Sequence, residues 1–160
     1  MTRRFILTSV LCTLLITVCL ASSQTKSQAK WKSIGFYYHR ENEVEMFYDA
    51  ESIKRTSKKT MQVWIKQIEH YKDDKAKQVG LEELMNNRRF LKLPLDGYDK
   101  FAYSTSLIEF DCQEKAGRDL CFVDYDEKGK IIGKKCLNMP FAPVMTEVTK
   151  KLLDVTCKQK

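Results

Sequence analysis

Glycine and proline are scarce, at 6 and 3 in 160 residues, and there are only 2 histidines. So few chain breakers exclude a collagenous, linker-rich or low-complexity protein, and no internal repeat is present. Long apolar runs are missing too. The longest, Phe5 to Leu20, is diluted by Thr8, Ser9, Thr13 and Thr17. At about 1.5 Å per residue it falls short of the ~30 Å hydrocarbon core of a bilayer, which argues against an uncleaved anchor and excludes a multi-span membrane protein. The chain contains no CxxC pair, no Gly-rich phosphate loop and no GxSxG elbow. What remains is 43% hydrophobic, 11% aromatic and 31% charged, the composition of one globular domain.

The apolar run has a different use. Arg3 and Arg4 precede it, and small Ala21, Ser22 and Ser23 follow, which is the layout of a secretory signal cleaved after Ala21. Val18 stands before Cys19 where a lipid-anchor site would need a small residue. The expected organisation is a signal peptide over 1–21, a short polar segment over 22–30 and one domain over 31–160. Cleavage removes Arg3, Arg4 and no acid, so 28 bases and 21 acids become 26 and 21, a net charge of +5. It also removes Cys12 and Cys19. The remaining Cys112, Cys121, Cys136 and Cys157 read as two disulfides of an exported chain.

Strands come first in the mature chain. Trp31 to Tyr38, a charged turn at Arg40, Glu41 and Asn42, and the alternation of Val44, Met46 and Tyr48 predict a hairpin. From Thr60 to Tyr71, Met61, Val63 and Ile65 alternate with Gln62 and Lys66, Trp64 lying on the side away from the apolar row. The phase slips at Ile68, which predicts a bulge or burial of both faces there. Residues 72–99 are the least regular, with a short helix expected near Leu81 to Phe90. Turns centred on Ala116-Gly117 and Lys128-Gly129 separate strands Phe101–Cys112, Arg118–Asp126 and Lys130–Leu137. That register sets Cys112 opposite Cys121 and Cys121 opposite Cys136. It also sets Phe110 opposite Val123, which faces Lys134, and Ile108 opposite Tyr125, which faces Ile132. One face should be core and the other mixed.

Val144, Met145, Val148, Leu152 and Val155 recur at helical spacing, with Glu147 early and Lys150 and Lys151 late. The fold class expected is therefore α+β, an antiparallel sheet of about six strands with a C-terminal helix packed on one face. Cys157 points almost opposite that stripe, so the helix should end or distort before it if Cys157 bonds to the sheet. Four cysteines allow three pairings, and geometry leaves the choice open. We favour Cys112–Cys157, which would lock the helix to the sheet, with Cys121–Cys136 stapling a hairpin.

Several of these residues resemble the surface-adhesin protein E family of exported bacterial proteins. They are Trp31, Tyr48-Asp49, Ser52-Ile53, Val63-Trp64-Ile65-Lys66, Leu107-Ile108-Glu109-Phe110-Asp111-Cys112, Arg118, Tyr125-Asp126, Gly129 and Val155-Thr156-Cys157. The resemblance covers nearly the whole mature chain. It implies the same sheet-and-helix fold, the Cys112–Cys157 pair, and adhesion to host extracellular-matrix or plasma proteins. The chain departs from the family pattern in Cys121 and Cys136, in the segment from Lys72 to Asp99, and near Asn138, Met139 and Pro140, where a tryptophan is expected.

Chemistry is thin. His39 and His70 lie in or beside strands, with no carboxylates spaced to complete a metal site, and no cofactor is expected. Glu109, Asp111 and Asp124 could meet on the outer face, where Lys135 would make them a solvated charge lattice. Basic clusters at Lys54, Arg55, Lys58 and Lys59, at Arg88 and Arg89, and at Lys128, Lys130, Lys134 and Lys135 could meet polyanions. In an exported chain these would be acidic glycans, lipid headgroups or acidic proteins rather than nucleic acid. The leading expectation is a non-enzymatic binding or adhesion module for a protein or acidic glycan, at the cell surface or in the periplasm. A periplasmic accessory module comes second and a cryptic hydrolase third.

Overall fold

The computed structural model describes residues 29–40, 42–137 and 139–159. The readings made on residues 1–28, including cleavage after Ala21, lie outside them. The strands are β1 (Trp31–His39), β2 (Asn42–Asp49), β3 (Lys54–Arg55), β4 (Thr60–His70), β5 (Phe101–Asp111), β6 (Ala116–Asp126), β7 (Ile131–Cys136) and β8 (Ala142–Pro143); the helices are α1 (Asp74–Phe90) and α2 (Glu147–Cys157). The sheet runs β1-β2-β4-β5-β6-β7, with the two-residue strands β3 and β8 paired to β4 and β6. Its pairings are antiparallel. The fold is α+β, with the C-terminal helix α2 as expected and α1 longer than the short helix anticipated near Leu81 to Phe90.

Paired residues share a face and neighbours alternate, so the registers assign every strand position to one of two sides. Val44, Met46, Met61, Val63, Ile65 and Phe110 fall on one side, and all are buried. There α2 packs on them through Val148, Leu152 and Leu153. In β1 this packing is close at Gly35, which sits at a bulge with φ of 135°, in the region glycine tolerates. Thr146 caps α2 by accepting from the Thr149 N–H, and Glu147 pairs with Lys150 one turn on.

The buried stripe of α2 is turned from the one its spacing suggests. Met145 is 81% exposed, whereas Leu153 and Thr156 are buried. At 100° per residue this rotates the packed face by roughly 55°. That rotation carries Cys157 toward the sheet while it remains the last helical residue, so the helix neither ends before it nor distorts. Cys112 and Cys157 are joined, with Cα atoms 5.7 Å apart, and Cys121 and Cys136 are joined across β6 and β7.

The hairpin β6–β7 has the expected register, Cys121 opposite Cys136 and Val123 opposite Lys134, up to a bulge that sets Tyr125 against Ile131. The hairpin β5–β6 does not. Asp111 pairs with Ala116 and Leu107 with Cys121. The connection is Cys112–Lys115, where Lys115 itself takes a left-handed φ of 53° and the Asp111 carboxylate accepts the N–H groups of Gln113 and Glu114. A side-chain-supported turn with a non-glycine left-handed residue thus replaces the expected Ala116-Gly117 turn. Nor is there a bulge at Ile68, where β4 keeps its phase against β2 to His70.

The two disulfides close spans of 45 and 15 residues. By the chain-entropy relation, Cys112→Ser/Cys157→Ser should lower the unfolding free energy by about 4 kcal/mol and Cys121→Ser/Cys136→Ser by about 3 kcal/mol. Urea denaturation of the oxidised variants should rank their midpoints in that order.

Candidate functional site

Helix α1 begins where Asp73 accepts the Ala76 N–H, and it runs well beyond the short helix expected there. None of its residues is buried. Polar pegs hold it down: Arg40 pairs with Glu83, and Arg88 reaches Asp124 with Nε and Nη2 at 2.6 and 2.9 Å. Asp124 is 0% exposed and also accepts from Tyr98 Oη at 2.7 Å and Ser104 Oγ at 2.5 Å. The Tyr98 hydroxyl reaches it only because position 133 is glycine: a Cβ there would stand 2.1 Å from that oxygen. Burial and the bond to Asp124 push the Tyr98 pKa up. Lys135 donates to the Leu91 carbonyl. Ser104 and Lys135 share the α2 side of the sheet with Asp124 by register, so both helices cover the same face.

Between them lies a cleft of about 400 Å³, floored by Met46, Ile65, Ile108 and Phe122 and edged by Ser104, Ser106, Asp119 and Thr149. The exposed Asp119 sits at its rim, where desolvation raises its pKa. No histidine or cysteine lines this cleft.

Among the described residues no helix lies on the opposite face. Trp31, Phe47, Trp64, Tyr103 and Tyr125 lie there half-buried, with Phe36 and Tyr38 exposed toward the β1 edge. These rings form a layer of their own, for Tyr103 and Tyr125 stack at 4.7 Å between centroids, and Thr105 and Val123 on this same face are 6% and 5% exposed. Lys66 stands amid them, its Nζ 4.7 Å from the Phe47 ring centroid, 5.3 Å from Trp31 and 5.7 Å from Tyr103.

The carboxylates expected to cluster on an outer face do not meet. Glu109 is buried on the aromatic face and bonded to Arg118, Thr56 and Gln62. Asp124 is buried on the helix face, and Asp111 caps a turn. A solvated lattice is therefore the wrong description, because Glu109 and Asp124 are buried and each has its own arginine. Among the basic residues, Arg88 and Lys135 are structural, whereas Lys54, Arg55, Lys58, Lys59, Lys128, Lys130 and Lys134 are exposed. His39 faces Glu69 at 3.9 Å and His70 faces Glu45 at 3.5 Å, on opposite faces of the sheet. Among the described residues no group of three or more His, Cys, Asp or Glu could hold a metal ion. The sequence reading missed the aromatic face, although its members recur at period two in the phase opposite Val63 and Ile65.

The family model for surface-adhesin protein E matches residues 31–158. This chain belongs to that family. Comparison with curated proteins and with solved structures gives no match. Family membership suggests a non-enzymatic surface adhesin, and the two disulfides fit an exported protein. No helix among the described residues of this family member is long and apolar enough to cross a membrane.

Two outcomes follow from the buried acids. Arg88→Met leaves Asp124 buried without its cation and should cost about 3–5 kcal/mol in denaturant unfolding. Burial alone would raise the Glu109 pKa, but the bonds from Arg118, Thr56 and Gln62 and the charge of Arg118 outweigh it and hold the carboxyl below its ordinary 4.5. A depressed folded pKa stabilises the fold above pH 4.5, and that stability is lost as pH falls through the folded value. Stability measured downward from pH 5 should therefore decline less steeply in Glu109→Gln than in the parent.

Proposed function

We propose that this chain is an exported, non-enzymatic binding module of the bacterial envelope that presents the helix-free face of its sheet to a macromolecular partner. Adhesion to host extracellular-matrix or plasma proteins is the role its family suggests. The observation that carries the reading is the division of labour between faces. An antiparallel sheet backed by helices needs no aromatics on its other side for stability, and solvated residues usually suffice there. Here that side bears a broad layer of half-buried rings, and aromatic residues are the type that anchors protein interfaces, since they offer large rigid area at little entropic cost. The cleft between the helices is lined by no histidine or cysteine, and its Ser104 donates to an Asp124 carboxylate already held by Arg88, which supports binding over catalysis.

Protease treatment of intact cells should cleave the protein; survival of the whole chain until the outer membrane is opened would instead support the periplasmic accessory role. In a plate assay on immobilised matrix protein, Trp31→Ala/Tyr103→Ala should weaken attachment at least about tenfold. Met145→Ala, at an exposed position just before α2, should leave it unchanged.

A further inference from the structure

Lys66 is the one cation at the centre of the aromatic layer, and its surroundings satisfy it incompletely. Three ring faces lie within 4.7 to 5.7 Å of its ammonium, but a ring quadrupole attracts a cation without cancelling its charge. Among the described residues no carboxylate forms an ion pair with it. The two acids diagonal to it by register are turned to other groups. Glu45 accepts from Ser33 and faces His70, and Asp49 accepts the Glu51 N–H. The buried Glu109 on this face is matched by Arg118.

Along one transverse register row, Phe47 pairs with Lys66, Lys66 with Thr105, Thr105 with Val123 and Val123 with the exposed Lys134. Three strand spacings separate the two ammonium-bearing positions, about 14 Å. What would complete this surface is a flat body with an apolar face for the rings and an anion for the lysine. A carboxylated sugar has both, its axial C–H groups stacking on an aromatic ring while its carboxylate makes a charge-assisted bond to the ammonium.

We propose that the helix-free face binds carboxylated oligosaccharides, with Lys66 receiving the carboxylate, Trp31 and Tyr103 stacking the pyranose rings, and Lys134 reaching a second acidic group along the chain. This rests on the reading of the chain as a binding module and names the ligand class for its open face.

The test is titration of the oxidised protein with 3′-sialyllactose and with a hyaluronan hexasaccharide, using lactose as the neutral control. Binding of at least one carboxylated probe is expected, at least about tenfold tighter than lactose and weaker with added salt. Lys66→Gln and Trp31→Ala should each lose about tenfold or more with the amide spectrum otherwise preserved, while Lys150→Gln on α2 should leave binding unchanged. Should a variant misfold, chemical-shift changes on titrating the parent decide the matter, and perturbations confined to the cleft between the helices would overturn the proposal. Equal affinity for lactose, or no binding of either acidic probe at millimolar concentration, would also overturn it. If sugar binding fails while attachment to matrix protein persists, the binding-module reading stands without this ligand. Loss of both would remove the two together.

Discussion

A single sheet can hide from water only what its covering elements reach, and in this fold both helices lie on the same side. That constraint organises the rest. The helix side carries the aliphatic row of Val63 and Ile65, with Phe110 beside it and Leu152 of α2 packed on it, where burial is worth roughly 1.5–3 kcal/mol per large side chain. The other side must be stabilised by its own residues, and it uses half-buried rings, Tyr103 and Tyr125 stacked among them, on a face where Thr105 and Val123 are buried. Such a layer is compatible with folding and still leaves large apolar faces where a partner can reach them.

The two helices are held by different physics. Helix α2 is amphipathic and packs on the aliphatic row, with the Cys112–Cys157 bond fixing its last turn to the end of β5. Helix α1 buries nothing. It depends on Arg88 meeting Asp124, a pair with little solvent around it, which costs more to break than it gains by forming. The hydroxyls of Tyr98 and Ser104 complete the shell of that carboxylate, and Gly133 makes the space. A polar strut of this kind leaves the cleft beneath it open.

Membership of a surface-adhesin family and the open aromatic face point the same way, although the family match is a statement about ancestry and the face is a statement about chemistry. A surface that combines rings with one incompletely satisfied ammonium is selective in a particular sense. Apolar area supplies affinity for many partners, while the charge at its centre penalises those that bring no anion.

Alternation and helical spacing are local, and they exposed the β-rich order, the apolar row of β4, the C-terminal helix and the second hairpin, where Lys128-Gly129 dictates a tight turn. They misplaced the first hairpin because its turn is made by Asp111 accepting backbone N–H groups and by Lys115 in a left-handed conformation, a choice that no glycine marks. The face of α2 was misjudged because its direction depends on where the sheet and Cys112 lie. Helix α1 was anticipated only over its later part, near Leu81 to Phe90, and Asp124 and Glu109 passed for surface charges because their arginines come from 36 and 9 residues away. The sequence by itself thus determined most of which segments extend and which coil. Only the tertiary structure decided which side both helices cover, and with it which rings and which lysine face outward, because facing is a relation between distant segments that no local period encodes.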